Sequence, residues 1–454
     1  MRILVIGNNH AGTAAATHLR KFHPEAEVTT YDRNDNISFL ACGIALWVGG
    51  VVQDPEGLFY ATPEGLRAQG IDVRMGHEVL DTDFAAKTVR VKELSTGRVF
   101  EDRYDKLILA TGSWPIVPKI PGTDLKGVHL CKLYQHAQEI LRDVARPEVR
   151  RVAVVGAGYI GVELVEAFRR HGKDVVLVEA ADHIMANYFD PEFTEEPRRQ
   201  MEAQGVRVRT GECVTRLEGD ARGRVCAVVT DRDSYEADLV ILSVGFRPNA
   251  DLYRDKLETL PNGALVVDEY LRTSDPDVLA CGDCMAVRSN ALDGPAYIAL
   301  ATNAVRTGIL CAANAVEPRM AFPGVQGSNA IKVFDSVLAS TGLCEAAARA
   351  AGLDVKTHTV EDASRPEFMP SHHRVRVKVV YHAVTRRLLG AQILSGGDDT
   401  QAIHTLSLAI QQHLTVDQFA LTDFFFLPHF NKPVSWLTAV ALTGTMQVSG
   451  IVEA

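Results

Sequence analysis

At 454 residues the chain exceeds what one hydrophobic core ordinarily organises, so two or three domains are expected. Its 46% apolar and 23% charged content is that of a globular protein, which excludes disordered, fibrous and membrane-embedded classes. A formal net charge of -10 without any basic block argues against nucleic acid and against an anionic membrane surface as partners.

The chain opens on Arg2-Ile-Leu-Val-Ile6, a short apolar strand that runs straight into a polar glycine turn. A secretory leader needs a longer apolar core and a small-residue cleavage site, and no apolar run is long enough to cross a bilayer. A cytoplasmic location is therefore expected. The eight cysteines (42, 131, 213, 226, 281, 284, 311 and 344) are scattered and read as reduced thiols. Only Cys281-Gly-Asp-Cys284 has C-x-x-C spacing, with no second pair or histidine cluster, so no metal site is expected.

After the first strand comes a helical pattern from about Ala11 to Phe22, then a second strand, Glu27 to Asp32, ending in an acid. Strand, glycine turn, helix, strand and acid in this order make a dinucleotide-binding unit. Gly7 and Gly12 are in place, but Asn9 stands where the middle glycine belongs. Asparagine tolerates unusual backbone angles better than most residues. Next comes an apolar stretch, Ile37 to Gly50, with Cys42 near its middle. A thiol at the start of a helical run meets unpaired backbone N–H groups, which lower its pKa. The alternative is an inert core cysteine.

Tyr104 to Ser113 reads as a strand ending in the small-residue turn Ala110-Thr111-Gly112, and Pro115, Pro118 and Pro121 form a stiff crossover. A second, cleaner dinucleotide unit follows. Arg151 to Val155 leads into Gly156-Ala-Gly158-Tyr159-Ile160-Gly161, a helix runs through Phe168, and Val175 to Glu179 is the next strand. Glu179 lies 23 residues beyond Gly156, the right distance for an acid on a ribose 2′-hydroxyl. A carboxylate there repels a 2′-phosphate, so NADH is favoured over NADPH. Two units about 150 residues apart suggest two dinucleotides, commonly one flavin and one nicotinamide.

Ala237 to Pro248, which holds Gly245, closes the second unit. A buried strand then delivers Gly282-Asp283 to the start of a helix, where Asp283 can accept a hydrogen bond from a ribityl hydroxyl. The chain thus leaves the first domain near residue 118 and returns near 245. From about Gly324 the pattern is mixed: a hairpin of Arg374 to Tyr381 with Arg387 to Ser395, then a helix from about Thr400 to Gln412. The tail holds Phe424, Phe425, Phe426 and Phe430 within seven positions, a density that suits an interface or a core.

Over nearly its whole length the sequence resembles the single-cysteine branch of the pyridine nucleotide-disulfide oxidoreductases. That branch includes NADH oxidases, NADH peroxidases and coenzyme A-disulfide reductases. The resemblance rests on Gly7 to Gly12 with His10, Ser38 to Gly43, Ala110 to Pro115, Gly156 to Gly161 with Glu163, Val244 to Asn249, Gly282-Asp283 and Leu300 to Arg306. Within the branch it is most similar to the water-forming NADH oxidases, through Gly43 to Gly50, Leu300 to Arg306 and Asp423 to Phe430.

The resemblance implies an α/β protein with two Rossmann-like domains and a C-terminal α+β domain that forms a homodimer. The FAD-binding domain would span 1–118 and 245–322, the NADH-binding domain 119–244, and the dimerisation domain 323–454. FAD contacts would come from Gly7, Asn9, His10, Ala11, Gly12, Asp32, Cys42, Ala110, Thr111, Gly112, Asp283, Ala301 and Thr302. NADH contacts would come from Gly156, Gly158, Tyr159, Ile160, Gly161, Glu163, Glu179 and Gly245. By the same resemblance Cys42 lies beside the flavin and cycles between thiolate and sulfenic acid, with His10 close to the sulfur and the oxygen site. Tyr159 would cover the nicotinamide pocket, and Phe425 and His429 would be offered to the partner subunit.

Disulfide-reducing relatives need a second cysteine about five residues after the first, and here that position is Trp47. A lone thiolate next to a flavin can take one oxygen atom from a peroxide and become sulfenic acid, a reversible step. The expected reaction is therefore two NADH and one O2 giving two NAD and two waters. Coenzyme A-disulfide reductase and NADH peroxidase share this thiol and are the alternatives, and a flavin-bearing redox sensor is the non-enzyme alternative. Phenylalanines where coenzyme A-disulfide reductases usually offer tyrosines favour a small apolar gas as oxidant.

Overall fold

Short apolar strands alternating with amphipathic helices build two parallel sheets, and a hairpin-rich remainder builds a third, antiparallel one. A computed structural model describes residues 1–446. The first sheet has five strands in the order Val278–Ala280, Lys106–Leu109, Arg2–Ile6, Glu27–Asp32 and Asp72–Met75, all parallel. Ile3, Leu4, Val5, Leu107, Ile108 and Leu109 are completely buried, as parallel strands covered on both faces must be. The helices His10–Phe22 and Ala301–Asn314 pack together closely enough that a Cβ on Gly308 would sit 2.3 Å from the Ala11 carbonyl oxygen.

The second sheet repeats the plan in the order Arg207–Thr210, Asp174–Glu179, Arg151–Val155, Leu239–Leu242 and Val128–Leu130. Between the two sheets the chain crosses twice, and the crossings run side by side: Ser113–Pro115 pairs antiparallel with Phe246–Pro248. The later pairing of Val278–Ala280 with Lys106–Leu109 returns the chain to the first sheet.

The third sheet is antiparallel, in the order Asn329–Val333, Ser336–Gly342, Leu388–Ser395, Arg374–His382 and Val355–Ala363. The hairpin expected from the alternating pattern is its centre. The helix expected from Thr400 begins as a 3-10 turn, Thr400–Ala402, and continues as Ile403–Gln411. An ion cluster centred on a buried lysine ties this sheet to the helix Pro191–Ala203. The Lys378 ammonium lies 2.9 Å from Asp190, 2.6 Å from Glu192 and 2.8 Å from Glu345.

One local expectation is corrected. Gly282 and Asp283 open a single 3-10 turn, Gly282–Cys284, and not a helix. The Cys284 carbonyl, which a helix would need, instead accepts the Leu265 N–H at 3.0 Å, and Ala286 N–H donates to the Leu265 carbonyl at 2.8 Å. A passing extended segment has captured the backbone groups. The chain then runs on into the strand Val287–Ser289.

Candidate active site

Both glycine turns are shaped by packing at their first and third positions. Gly7 has φ +95° and Gly156 φ +98°, angles that side chains rarely adopt. A Cβ on Gly12 would lie 1.8 Å from the Gly7 carbonyl oxygen, and one on Gly161 would lie 2.0 Å from that of Gly156. The middle positions differ. Gly158 has φ −72° with open space where a Cβ would go, and Asn9 has φ −92°. No backbone constraint requires glycine there, which is why Asn9 is tolerated in the first turn.

The two turns open onto one cavity of about 1340 Å³. That exceeds the roughly 300–1,000 Å³ of an ordinary small-molecule pocket and suits two dinucleotides meeting end to end. Gly7, Asn9, His10, Ala11, Asp32, Cys42, Ala110, Thr111, Gly112, Asp283 and Ala301 line its first half. Gly156, Gly158, Tyr159, Ile160, Glu163, Glu179 and Gly245 line its second. Gly12 and Gly161 stand behind the wall in their packing roles, and Thr302 faces outward on its helix. Phe425 and His429 lie on an exposed segment away from this wall, with Phe425 70% exposed.

Both acids are anchored by backbone. Asp32 accepts the Asn8 N–H at 2.7 Å and the Asn34 N–H at 2.8 Å, while burial pushes its carboxyl pKa up. Glu179 accepts from Ala157 N–H at 2.6 Å and Ala181 N–H at 2.8 Å. Each carboxylate is thereby fixed at the end of its strand beside a glycine turn. Among the described residues the Thr111 hydroxyl, buried on the cavity wall, has no hydrogen-bond partner, an arrangement that fits a polar cofactor atom.

Sequence reasoning missed a chain of polar groups next to Asp283. The Lys132 ammonium donates to Ser113 Oγ at 2.8 Å, and Ser113 Oγ donates to Asp283 Oδ2 at 2.8 Å. Lys132 also lies over the Phe246 ring at 4.6 Å, and burial pulls its pKa down. An ammonium held this way on the wall complements the anionic part of a dinucleotide. No motif pointed to it, because the strand Val128–Leu130 that precedes it joins its sheet only in the fold.

Cys42 sits in the 3-10 turn Ala41–Gly43, ahead of the helix Ile44–Val48, and is an exposed free thiol. Its pKa is raised, contrary to the expectation from its place at a helix start. Desolvation is the largest cause, the nearby Glu163 carboxylate adds to it, and the backbone N–H groups of Cys42 and Gly43 offset only part. Glu163 itself is pushed up to about 7, mainly by burial and further by Glu166. Cys131 and Cys213 also line the cavity, and burial pushes the Cys131 thiol up to about 12. Trp47, where a second cysteine would stand, is stacked on Tyr134 at 5.2 Å in an aromatic cluster with Phe39 and Phe59. His10 lines the cavity as the first residue of its helix, and burial lowers its pKa.

Two dinucleotide turns facing one cavity, with a free thiol on its wall, define an oxidoreductase that works through two cofactors. Residues 1–308 match the family described as pyridine nucleotide-disulphide oxidoreductase, and residues 328–438 match its dimerisation domain. The chain belongs to that family. It is 46% identical to an NADH oxidase of Enterococcus faecalis, over 97% of this chain and 98% of the relative. A solved structure of a water-forming NADH oxidase from Lactobacillus brevis bound to NADH superposes with a TM-score of 0.96 at 45% identity, covering 98% of each chain. A coenzyme A polysulfide/persulfide reductase of Pyrococcus horikoshii is 32% identical, over 94% of this chain and 95% of the relative. Among the described residues no helix is long and apolar enough to cross a membrane.

Proposed function

We propose that this chain is an FAD-dependent NADH oxidase that reduces O2 by four electrons to water, with Cys42 as its redox-active residue. The observation that carries the reading is Cys42 itself: an exposed thiol on the cavity shared by both glycine turns, with Trp47 packed where a disulfide partner would be. FAD, when bound, accepts hydride from NADH and passes electrons to oxygen.

The chain's own residues supply the rest. Gly7 to Ala11 with Asp32, Thr111 and the Lys132–Ser113–Asp283 chain hold the flavin nucleotide. Gly156 to Ile160 with Glu179 hold NADH, and the Glu179 carboxylate selects the free 2′-hydroxyl. The Cys42 sulfur attacks one oxygen of a peroxide, the O–O bond breaks, and Cys–SOH forms as the other oxygen leaves as water. His10 presents a ring nitrogen to that oxygen. Two electrons from a second NADH, with two protons, return the sulfenic acid to thiol and release the second water.

The two crossings and the change to the antiparallel sheet support a domain division at residues 118, 245 and 323. The family's dimerisation domain and the exposed Phe425, Phe426 and Phe430 support a homodimer in which this segment and His429 approach the partner's cavity. Eight free cysteines suit the reducing cytoplasm.

The test couples oxygen uptake, NADH consumption and a peroxide probe. Wild type should consume two NADH per O2 without peroxide, and Cys42→Ser should approach one NADH per O2 and release peroxide. A wild-type ratio of one with accumulating peroxide would remove the water-forming reading. Water as the sole product of Cys42→Ser would remove Cys42 from the mechanism.

A further inference from the structure

His10 is engaged by a residue with no assigned role. The Tyr60 hydroxyl lies 3.0 Å from His10 Nδ1, and the two rings are parallel within 7° with centroids 5.7 Å apart. His10 lines the cavity and Tyr60 does not, so Tyr60 reaches the site only through the imidazole. We propose that Tyr60 is a positioning residue that donates its phenol proton to His10 Nδ1, and so fixes the tautomer with hydrogen on Nε2.

The direction of the bond follows from the chemistry of the two groups. A phenol oxygen shares its lone pair with the ring, which makes it a better donor than acceptor, whereas a neutral imidazole nitrogen is a strong acceptor. Tyr60 holds its proton firmly, since burial pushes its pKa up to about 12, and burial likewise keeps His10 in its neutral form. The charged groups that act on His10 are Asp283, which favours the imidazolium, and Lys132, which opposes it. Neither overcomes desolvation. In a neutral histidine the hydrogen bond at one ring nitrogen decides which nitrogen carries the proton.

Tyr60 is also well placed to keep this arrangement in step with Cys42. Its loop is bolted to the segment that carries the thiol. Ser38 Oγ donates to the Ala61 carbonyl at 2.8 Å and accepts the Ala61 N–H at 2.9 Å, and Leu40 N–H donates to the Leu58 carbonyl at 2.8 Å. Ser38 adopts φ +58°, an angle uncommon outside glycine, to make this double contact. The Tyr60–His10 bond therefore links the Cys42 loop to the first glycine turn, and it presents an Nε2–H donor to oxygen atoms in the cavity.

The proposal rests on the reading of His10 as the group facing the oxygen site, and its test keeps the two apart. Tyr60 is 50% exposed, so Tyr60→Phe removes the hydroxyl while keeping the ring stack and the fold. In holoenzyme labelled with ¹⁵N-histidine, with His10 assigned by its loss in His10→Gln, long-range ¹H–¹⁵N spectra should show Nδ1 as the unprotonated nitrogen. In Tyr60→Phe the two nitrogens should move toward each other as the tautomers mix. Peroxide release per NADH should rise about two- to tenfold, the weight of one hydrogen bond, with the KM for NADH unchanged. A proton on Nδ1 in wild type, or a spectrum unchanged in Tyr60→Phe, would overturn the assignment. If His10→Gln released no peroxide, the reading of His10 at the oxygen site would fall, while the tautomer signal would still decide the role of Tyr60.

Discussion

The rings of Tyr159 and Tyr188 stack face to face, 4.3 Å apart and 9° from parallel, across the second half of the cavity. Tyr159 opens the helix that follows the second glycine turn. Tyr188 comes from a loop hooked back onto the same turn, where Met185 N–H donates to the Ala157 carbonyl at 2.8 Å. In the proposed site the pair would close the space a nicotinamide enters, and NADH would separate the rings to bind. An aromatic stack is worth about 0.5–1.5 kcal/mol beyond its area. Tyr188→Leu should therefore lower the NADH dissociation constant about two- to tenfold, measured by titration of the oxidised holoenzyme under anaerobic conditions with an NADH analogue that cannot donate hydride. Unchanged or weaker binding would show that NADH leaves the stack intact.

Glu179 governs the choice of nucleotide in the proposed site. Its two oxygens are each held by a backbone N–H, at 2.6 Å and 2.8 Å, so the carboxylate cannot swing away from a 2′-substituent. Glu179→Ala should lose a charge-assisted hydrogen bond of about 1.5–3 kcal/mol, lowering kcat/KM for NADH roughly 10- to 150-fold. NADPH should lose much less, because its 2′-phosphate no longer meets a negative charge. Steady-state kinetics with both nucleotides check this, and an equal loss for the two would remove Glu179 as the selector.

Much of this architecture was legible in the chain because local pattern carried it. The apolar strands ending at Gly7 and Gly156 and the acids at Asp32 and Glu179 belong to units whose order is written contiguously. The hairpin of Arg374–His382 with Leu388–Ser395 was visible for the same reason. Lys132, Tyr60 and Tyr188 were not legible, since each reaches the cavity or its lining by a tertiary contact with no spacing rule. The sign of the Cys42 shift was misjudged because a helix start is a local feature, whereas desolvation and the Glu163 charge are set by the fold. Gly282–Cys284 failed as a helix start because Leu265, far off in sequence, had claimed its backbone.

Cys131 tests whether a second thiol takes part. It lines the same cavity as Cys42, but burial, with Glu163 as a smaller cause, pushes its pKa up to about 12. It is thus protonated throughout the working range and a poor nucleophile. Cys131→Ala should leave turnover within about twofold, because an inert thiol contributes packing alone. A sulfenic acid trap such as dimedone should label Cys42 in both proteins. A Cys42–Cys131 disulfide in peptide mass spectra, or peroxide released by Cys131→Ala, would assign Cys131 a resolving role.

The Lys378 cluster is a polar tie between the antiparallel sheet and the helix Pro191–Ala203. One ammonium, its side chain 5% exposed, faces three carboxylates, and Asp190 accepts further bonds from Gln392 Nε2 at 2.6 Å and Glu345 N–H at 3.1 Å. Lys378, with Arg349, holds the Glu345 carboxyl down at about 2. A lowered carboxylate contributes stability above its unfolded pKa, near 4.5, and that contribution disappears as pH falls toward 2. Lys378→Met should cost about 3–5 kcal/mol near neutral pH, since it leaves the buried Asp190 carboxylate without its ammonium. The deficit should shrink as pH falls toward 2, where the Glu345 carboxylate takes up its proton. Urea unfolding of the two proteins across this range measures it, and a deficit independent of pH would show that Lys378 acts through packing alone.

Glu163 adds to the desolvation that raises the Cys42 pKa. Its carboxyl titrates at about 7, because burial and Glu166 disfavour the charged form. Above that pH Glu163 is ionised and raises the Cys42 thiol further, while below it Glu163 is neutral and this push is gone. Glu163→Gln removes the charge at every pH while keeping the shape. The variant should therefore react about two- to tenfold faster with iodoacetamide than wild type at about pH 8, because more of its thiol is then thiolate. Near pH 6 the two rates should converge, since wild-type Glu163 is then mostly protonated. Equal rates at both pH values would show that Glu163 exerts no charge effect on the thiol, leaving burial as the cause of its raised pKa.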